Sequence, residues 1–202
     1  GMRITDIDGK TYLDAVSGGV WTVNVGYGRK EIVDAVAKQM MEMCYFANGI
    51  GNVPTIKFSE KLISKMPGMS RVYLSNSGSE ANEKAFKIVR QIGQLKHGGK
   101  KTGILYRARD YHGTTIGTLS ACGQFERKVQ YGPFAPGFYE FPDCDVYRSK
   151  FGDCADLGVK MAKQLEEVIL TVGPDELGAV IVEPMTAGGG ILVPPAGYYE
   201  TI

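Results

Sequence analysis

Histidine is scarce in this chain: among 202 residues only His97 and His112 carry an imidazole, too few for a His-rich metal centre. The four cysteines, Cys44, Cys122, Cys144 and Cys154, lie far apart with no Cys-x-x-Cys pair. That spacing argues against a zinc ribbon or a disulfide scaffold and leaves reduced thiols in a cytoplasm as the expectation. Net charge is nearly absent as well. With 23 basic residues against 22 acidic ones the chain has no electrostatic footprint for nucleic acid or a membrane surface, so the expected partner is a small molecule. The start, Gly1-Met2-Arg3, lacks the apolar stretch of a signal peptide, and the most apolar run, Ala179 to Val182, stops at Glu183-Pro184. No internal repeat, low-complexity tract, Gly-x-Gly-x-x-Gly or Gly-x-x-x-x-Gly-Lys-Ser/Thr signature occurs.

What remains is ordinary for a folded domain, with 44% apolar and 22% charged residues. Residues Arg3 to Ala15 predict a hairpin about Asp8-Gly9. From Arg29 to Met43, Ile32, Val33, Val36, Met40 and Met43 recur at helical spacing, and a second helix is expected from a Thr55 cap to about Lys65. Val72-Tyr73-Leu74 predicts a strand, Ser77 to about Lys96 a helix, and Thr102 to Tyr106 another strand. A helical stretch is expected after Gly113, a long helix over Asp153 to Val172, and a buried strand over Gly178 to Glu183. This alternation predicts an α/β domain with a mainly parallel sheet, whose ligands gather beyond the carboxyl ends of the strands. A helix begins near Tyr198, and the chain is expected to be part of a longer one.

Four stretches carry chemistry. Asn76-Ser77-Gly78-Ser79-Glu80-Ala81-Asn82 sits between a strand and a helix, where unpartnered amides, two hydroxyls and a glycine suit an anion such as a phosphate dianion. The same spacing of Ser77 and Glu80 is also that of a capping box, and both readings stand. Asp110-Tyr111-His112-Gly113-Thr114-Thr115 follows the next strand, so Tyr111 can stack on a flat heteroaromatic ring or fill a core gap. Glu183-Pro184 brings a carboxylate to a strand end before the flexible Gly188-Gly189-Gly190, where it orients a ligand hydroxyl or amine, or simply bonds a loop. Ser17-Gly18-Gly19-Val20-Trp21 carries the only tryptophan, a candidate pocket wall or core residue.

Taken in order, these stretches resemble the class III aminotransferases, of the fold type I pyridoxal-phosphate enzymes. Asp6-Ile7-Asp8-Gly9-Lys10-Thr11-Tyr12-Leu13-Asp14, Val23-Asn24-Val25-Gly26-Tyr27-Gly28 and Val193-Pro194-Pro195 match as well, so the resemblance spans the whole chain. It implies an N-terminal small-domain segment with hairpin and helix over residues 1–45, and a partial cofactor-binding large domain over 46–202. It further implies that Ser77, Gly78 and Ser79 hold the phosphate of pyridoxal 5'-phosphate, that Tyr111 stacks on its pyridine ring with His112 beside it, and that Glu183 sits near its ring hydroxyl. Trp21 would line the amine pocket, completed by a second subunit of a homodimer or tetramer. The aspartate that pairs with the pyridine nitrogen and the Schiff-base lysine are expected downstream of Ile202, so no catalytic residue is assigned within the chain and the chain alone is expected to be inactive.

Many glutamate-using relatives carry a glutamate where this chain has Gly188, which pairs with an arginine that otherwise grips substrate carboxylates. Its loss favours an anionic amine donor, an omega-amino acid or an amino-sulfonate such as taurine, with pyruvate as the keto-acid acceptor. Two further readings accompany this one: decarboxylation or aminomutation on the same fold, and a non-catalytic phosphate- or nucleotide-binding module.

Overall fold

The computed structural model describes residues 1–46 and 51–202. The chain divides into two compact units, Gly1–Val72 and Tyr73–Ile202.

In the first unit, strands β1 (Arg3–Thr5) and β2 (Thr11–Leu13) pair antiparallel with Arg3 opposite Leu13. The turn between them is held by the Asp6 carboxylate, which accepts the Asp8 amide at 3.0 Å and the Lys10 amide at 2.9 Å. Gly9 adopts φ +82°, the left-handed backbone that glycine takes at no steric cost. Helix α1 (Lys30–Met43) follows the apolar periodicity. Helix α2 (Val53–Ile63) starts earlier than Thr55, because Asn52 is the cap: its Oδ1 accepts the Thr55 amide at 2.9 Å. Pro54 fits the first turn, where its missing N–H has no helical partner to lose.

The second unit is built on a parallel sheet of order β4-β3-β5, with β3 (Gly103–Arg107) at its centre, β4 (Phe138–Phe141) on one side and β5 (Leu177–Ile181) on the other. Successive side chains of β3 point to opposite faces. Ile104 and Tyr106 pack with Phe86 and Val89 of helix α3 (Gly78–His97), whereas Leu105 packs with Leu165 and Val168 of helix α5 (Leu157–Val172). The central strand is therefore covered on both faces and is buried throughout, which is why it reads as a continuous apolar run. Each such aliphatic side chain contributes roughly 1.5–3 kcal/mol on burial. Short helices α4 (Ile116–Ser120) and α6 (Tyr198–Thr201) complete the unit. This is the α/β architecture with a parallel sheet that the alternation predicts.

Several boundaries differ from the sequence expectation. Residues 71–75 join no strand, since an apolar triplet becomes a strand only where a neighbour offers a ladder and none of the described strands runs beside it. β4 is not signalled by the sequence; its short aromatic run between Gly137 and Pro142 gains a ladder only from the remote β3. The strand expected over Gly178 to Glu183 is buried only in part: β5 lies at a sheet edge, and Val180 stays 44% exposed. Helix α5 starts at Leu157, after a residue whose side chain makes no capping bond. Among the described residues no helix is long and apolar enough to cross a membrane.

Candidate active site

Helix α3 is capped by Ser77, whose Oγ accepts the Glu80 amide at 3.2 Å. The Glu80 carboxylate reaches back to the Asn76 amide at 2.8 Å, one residue beyond the partner that a capping box prescribes. Two features keep this end open to an anion. A helix leaves its first amides without partners, and capping takes up only that of Glu80. In addition, Ser77 and Ser79 use their oxygens as acceptors, Ser79 from the Thr114 amide at 3.1 Å, so both hydroxyl protons stay free to donate. A Cβ built on Gly78 would meet nothing within 4 Å. Packing within the chain therefore does not require a glycine there.

The turn after β3 brings the second group. Tyr111, His112 and Gly113 face the start of α3, and Ser77, Gly78, Ser79 and Asn82 complete with them one cavity of about 420 Å³, in the size range of small-molecule sites. The Asn82 amide group donates to the His112 carbonyl at 2.8 Å, and the Cys122 thiol accepts the His112 amide at 3.1 Å. Gly113 has φ +140°, and a Cβ there would stand 2.6 Å from Ser79 Oγ, so only glycine permits this approach. His112 is 6% exposed and its Nε2 has no partner. Burial pushes its pKa down to about 4, against a favourable pull from Asp110, so the ring is neutral at physiological pH. The Arg127 guanidinium lies over the Tyr111 ring, 4.9 Å from its centroid.

Glu183 follows the end of β5 and is not among the residues lining that cavity. Its carboxylate accepts the Ala187 amide at 2.9 Å. Burial raises its pKa and the Asp110 charge adds to this, while the Ala187 and Tyr111 amides and Arg107 oppose the rise. The loop that follows is stitched closed: Thr186 and Leu192 form an antiparallel bridge, and Arg109 Nε donates to the Gly189 carbonyl at 3.1 Å. A Cβ on Gly189 would lie 2.1 Å from the Arg109 carbonyl oxygen, so this glycine serves close packing rather than flexibility. Trp21 belongs to the N-terminal unit, where it is 51% exposed with φ +50°.

The structure also contains polar residues that the sequence did not single out. Arg107, Asp110 and Thr186 are buried completely between the ends of β3 and β5. Burial works against the Arg107 charge, but Tyr198 and Asp110 outweigh it and hold the guanidinium firmly protonated. A charged pair three residues apart at the end of an apolar strand was the one available signal.

The pyridoxal phosphate expected from the sequence fits these residues: two free hydroxyls and open amides at a helix start, a glycine with room above it, an aromatic ring, and a buried imidazole nitrogen without a partner all border or adjoin one cavity. The class III aminotransferase model matches residues 1–202. Over all 202 residues the chain is 56% identical to the taurine–pyruvate aminotransferase of Rhodobacter capsulatus, and equally to the hypotaurine/taurine–pyruvate aminotransferase of Paracoccus denitrificans; it spans 44% of the length of each. An amine transaminase from an uncultivated Pseudomonas species, solved in its PLP-bound form, superposes with a TM-score of 0.92 at 33% identity, covering all of this chain and 46% of that one. The chain thus belongs to the class III aminotransferases, a family of pyridoxal-phosphate-dependent transaminases.

Proposed function

We propose that the protein containing this chain transfers an amino group from an omega-amino acid or amino-sulfonate donor of the taurine type to pyruvate, and that this chain supplies the phosphate and ring contacts of the coenzyme. The convergence of Ser77, Gly78, Ser79, Tyr111 and His112 on a single cavity carries the reading. The names of the two relatives at 56% identity support the substrates, and Gly188 fits them through the family resemblance, which implies a glutamate at that place in glutamate-using members.

When bound, pyridoxal phosphate supplies the electron sink that labilises a bond at the amine-bearing carbon. The chain's own residues bind and orient. Ser77 and Ser79 donate their hydroxyl protons, and the first-turn amides of α3 their N–H groups, to the phosphate, with the helix dipole adding a favourable field. Tyr111 offers a ring face for stacking, and neutral His112 adds no positive charge beside it. Glu183, whose proton affinity is raised by burial, would sit near the ring hydroxyl and orient it. By the family resemblance Trp21 would line the amine pocket together with residues of a second subunit. No lysine lines the described cavity; the family resemblance implies that the lysine that bonds the coenzyme aldehyde lies outside this chain, which spans 44% of the relatives' length.

The test compares taurine, beta-alanine and glutamate as donors to pyruvate with the full-length enzyme, following alanine formation. Preference for taurine or beta-alanine supports the reading; a clear preference for glutamate, or products of decarboxylation instead of alanine, rules it out.

A further inference from the structure

A strand ladder fixes residues only as far as the ladder extends. β3 ends at Arg107 and β5 at Ile181, so Tyr111 and Glu183, both beyond those ends, have no ladder bonds to set their spacing. Three buried side chains occupy that gap. Asp110 Oδ2 accepts the Glu183 amide at 2.8 Å, while Arg107 Nη2 donates to the Glu183 carbonyl, so both backbone groups of Glu183 are held. Thr186 Oγ1 donates to Asp110 Oδ1 and accepts from Arg107 Nη2 at 3.2 Å, and Arg107 Nε lies 3.2 Å from Asp110 Oδ2. Asp110 is the residue immediately before Tyr111.

Burying two charges is expensive, and apolar residues of the same volume commonly serve stability as well or better. What this cluster adds is direction. Arg107 bonds through Nη2 alone, its Nε and Nη1 finding no hydrogen-bond partner, so its contacts with Glu183 and Thr186 and those of Asp110 hold in one geometry only. We infer that Arg107, Asp110 and Thr186 form a positioning unit that fixes the distance between the Tyr111 ring and the Glu183 carboxylate, and thereby the seat of the coenzyme ring. None of the three lines the cavity, so they act through those two neighbours. The inference rests on the coenzyme roles proposed above for Tyr111 and Glu183.

The experiment uses the full-length enzyme, freed of coenzyme and then titrated with pyridoxal phosphate. Asp110→Asn keeps the size and removes the charge; Thr186→Val removes one hydroxyl; Leu165→Ala, in a separate apolar cluster, serves as a control that lowers stability alone. Asp110→Asn is expected to raise the dissociation constant by about tenfold or more and to weaken the visible circular dichroism of the bound coenzyme, with Thr186→Val a smaller step in the same direction. Leu165→Ala is expected to lower the melting temperature of the coenzyme-free protein while leaving both readouts at wild-type values. Unchanged affinity and dichroism in Asp110→Asn and Thr186→Val overturn the inference, as does a loss that merely tracks melting temperature as in Leu165→Ala. Should Asp110→Asn fail to fold, Thr186→Val decides alone. Wild-type enzyme that binds no pyridoxal phosphate, or binds it equally well after Ser79→Ala, sinks the underlying site assignment and this inference together.

Discussion

Ser79 accepts the amide of Thr114 at 3.1 Å, a bond across 35 residues that joins the first turn of α3 to the turn after β3. The two turns that line the cavity are thus tied to each other by the protein itself. Preorganisation of this kind spares a ligand the cost of ordering its own site.

Gly78 separates binding from folding. A methyl group there meets nothing within 4 Å, and alanine favours a helix over glycine by up to about 1 kcal/mol. Gly78→Ala is therefore expected to leave the melting temperature of coenzyme-free enzyme equal or higher. The added methyl group occupies the space over the open amides, so pyridoxal phosphate affinity should fall. Calorimetry of the two forms together with a coenzyme titration checks both halves; unchanged affinity refutes the role of Gly78.

Gly113 behaves in the opposite way. Its φ of +140° and the 2.5 Å approach of a Cβ to Thr118 Oγ1 make any side chain strained. Gly113→Ala should destabilise the coenzyme-free protein by about 2 kcal/mol or more, read from urea unfolding.

His112 couples stability to pH. Its pKa is lowered to about 4 in the fold by burial, from the ordinary imidazole value of 6.5. Between those values the unfolded chain binds more protons, so the contribution is complete above about pH 6.5 and is lost as pH falls toward 4. The size is on the order of 3 kcal/mol. Chemical denaturation of wild type and His112→Gln across that range should show a steeper loss for wild type; parallel curves would contradict the assignment.

Two arginines should respond very differently to truncation. Arg127 is exposed and stacks on Tyr111, so Arg127→Met should cost about 0.5–1 kcal/mol. Arg107→Met leaves the Asp110 carboxylate buried without its cation, which should cost about 3–5 kcal/mol. Thermal unfolding of the two variants side by side tests the order.

Legibility in the sequence followed the range of the interaction. Ser77 as a helix cap could be read because its partner, Glu80, lies three residues away, and β3 because burial on both faces leaves an unbroken apolar run. Helices α1 and α3 show their periodicity directly. Thr55 has the side chain of a cap, but the working cap is Asn52, three residues earlier, whose Oδ1 accepts the Thr55 amide. β4 depends on a ladder with a strand more than thirty residues earlier in the chain. The Arg107–Asp110 pair has a local spacing, but its closure with Thr186 spans 76 to 79 residues, and no local pattern announces that contact. The common wall of Ser79 and Tyr111 was inferred from both turns following strands of one parallel sheet. The structure supports that convergence, although the first of those strands is not formed.

The edge position of β5 has a practical outcome. Along its outer side the main-chain donors and acceptors have no ladder partner among the described residues, and half-exposed Val180 stands beside them. Such a margin recruits any extended peptide that reaches it. The 202-residue chain expressed alone is therefore expected to self-associate as its concentration rises, and a soluble preparation will need that margin occupied.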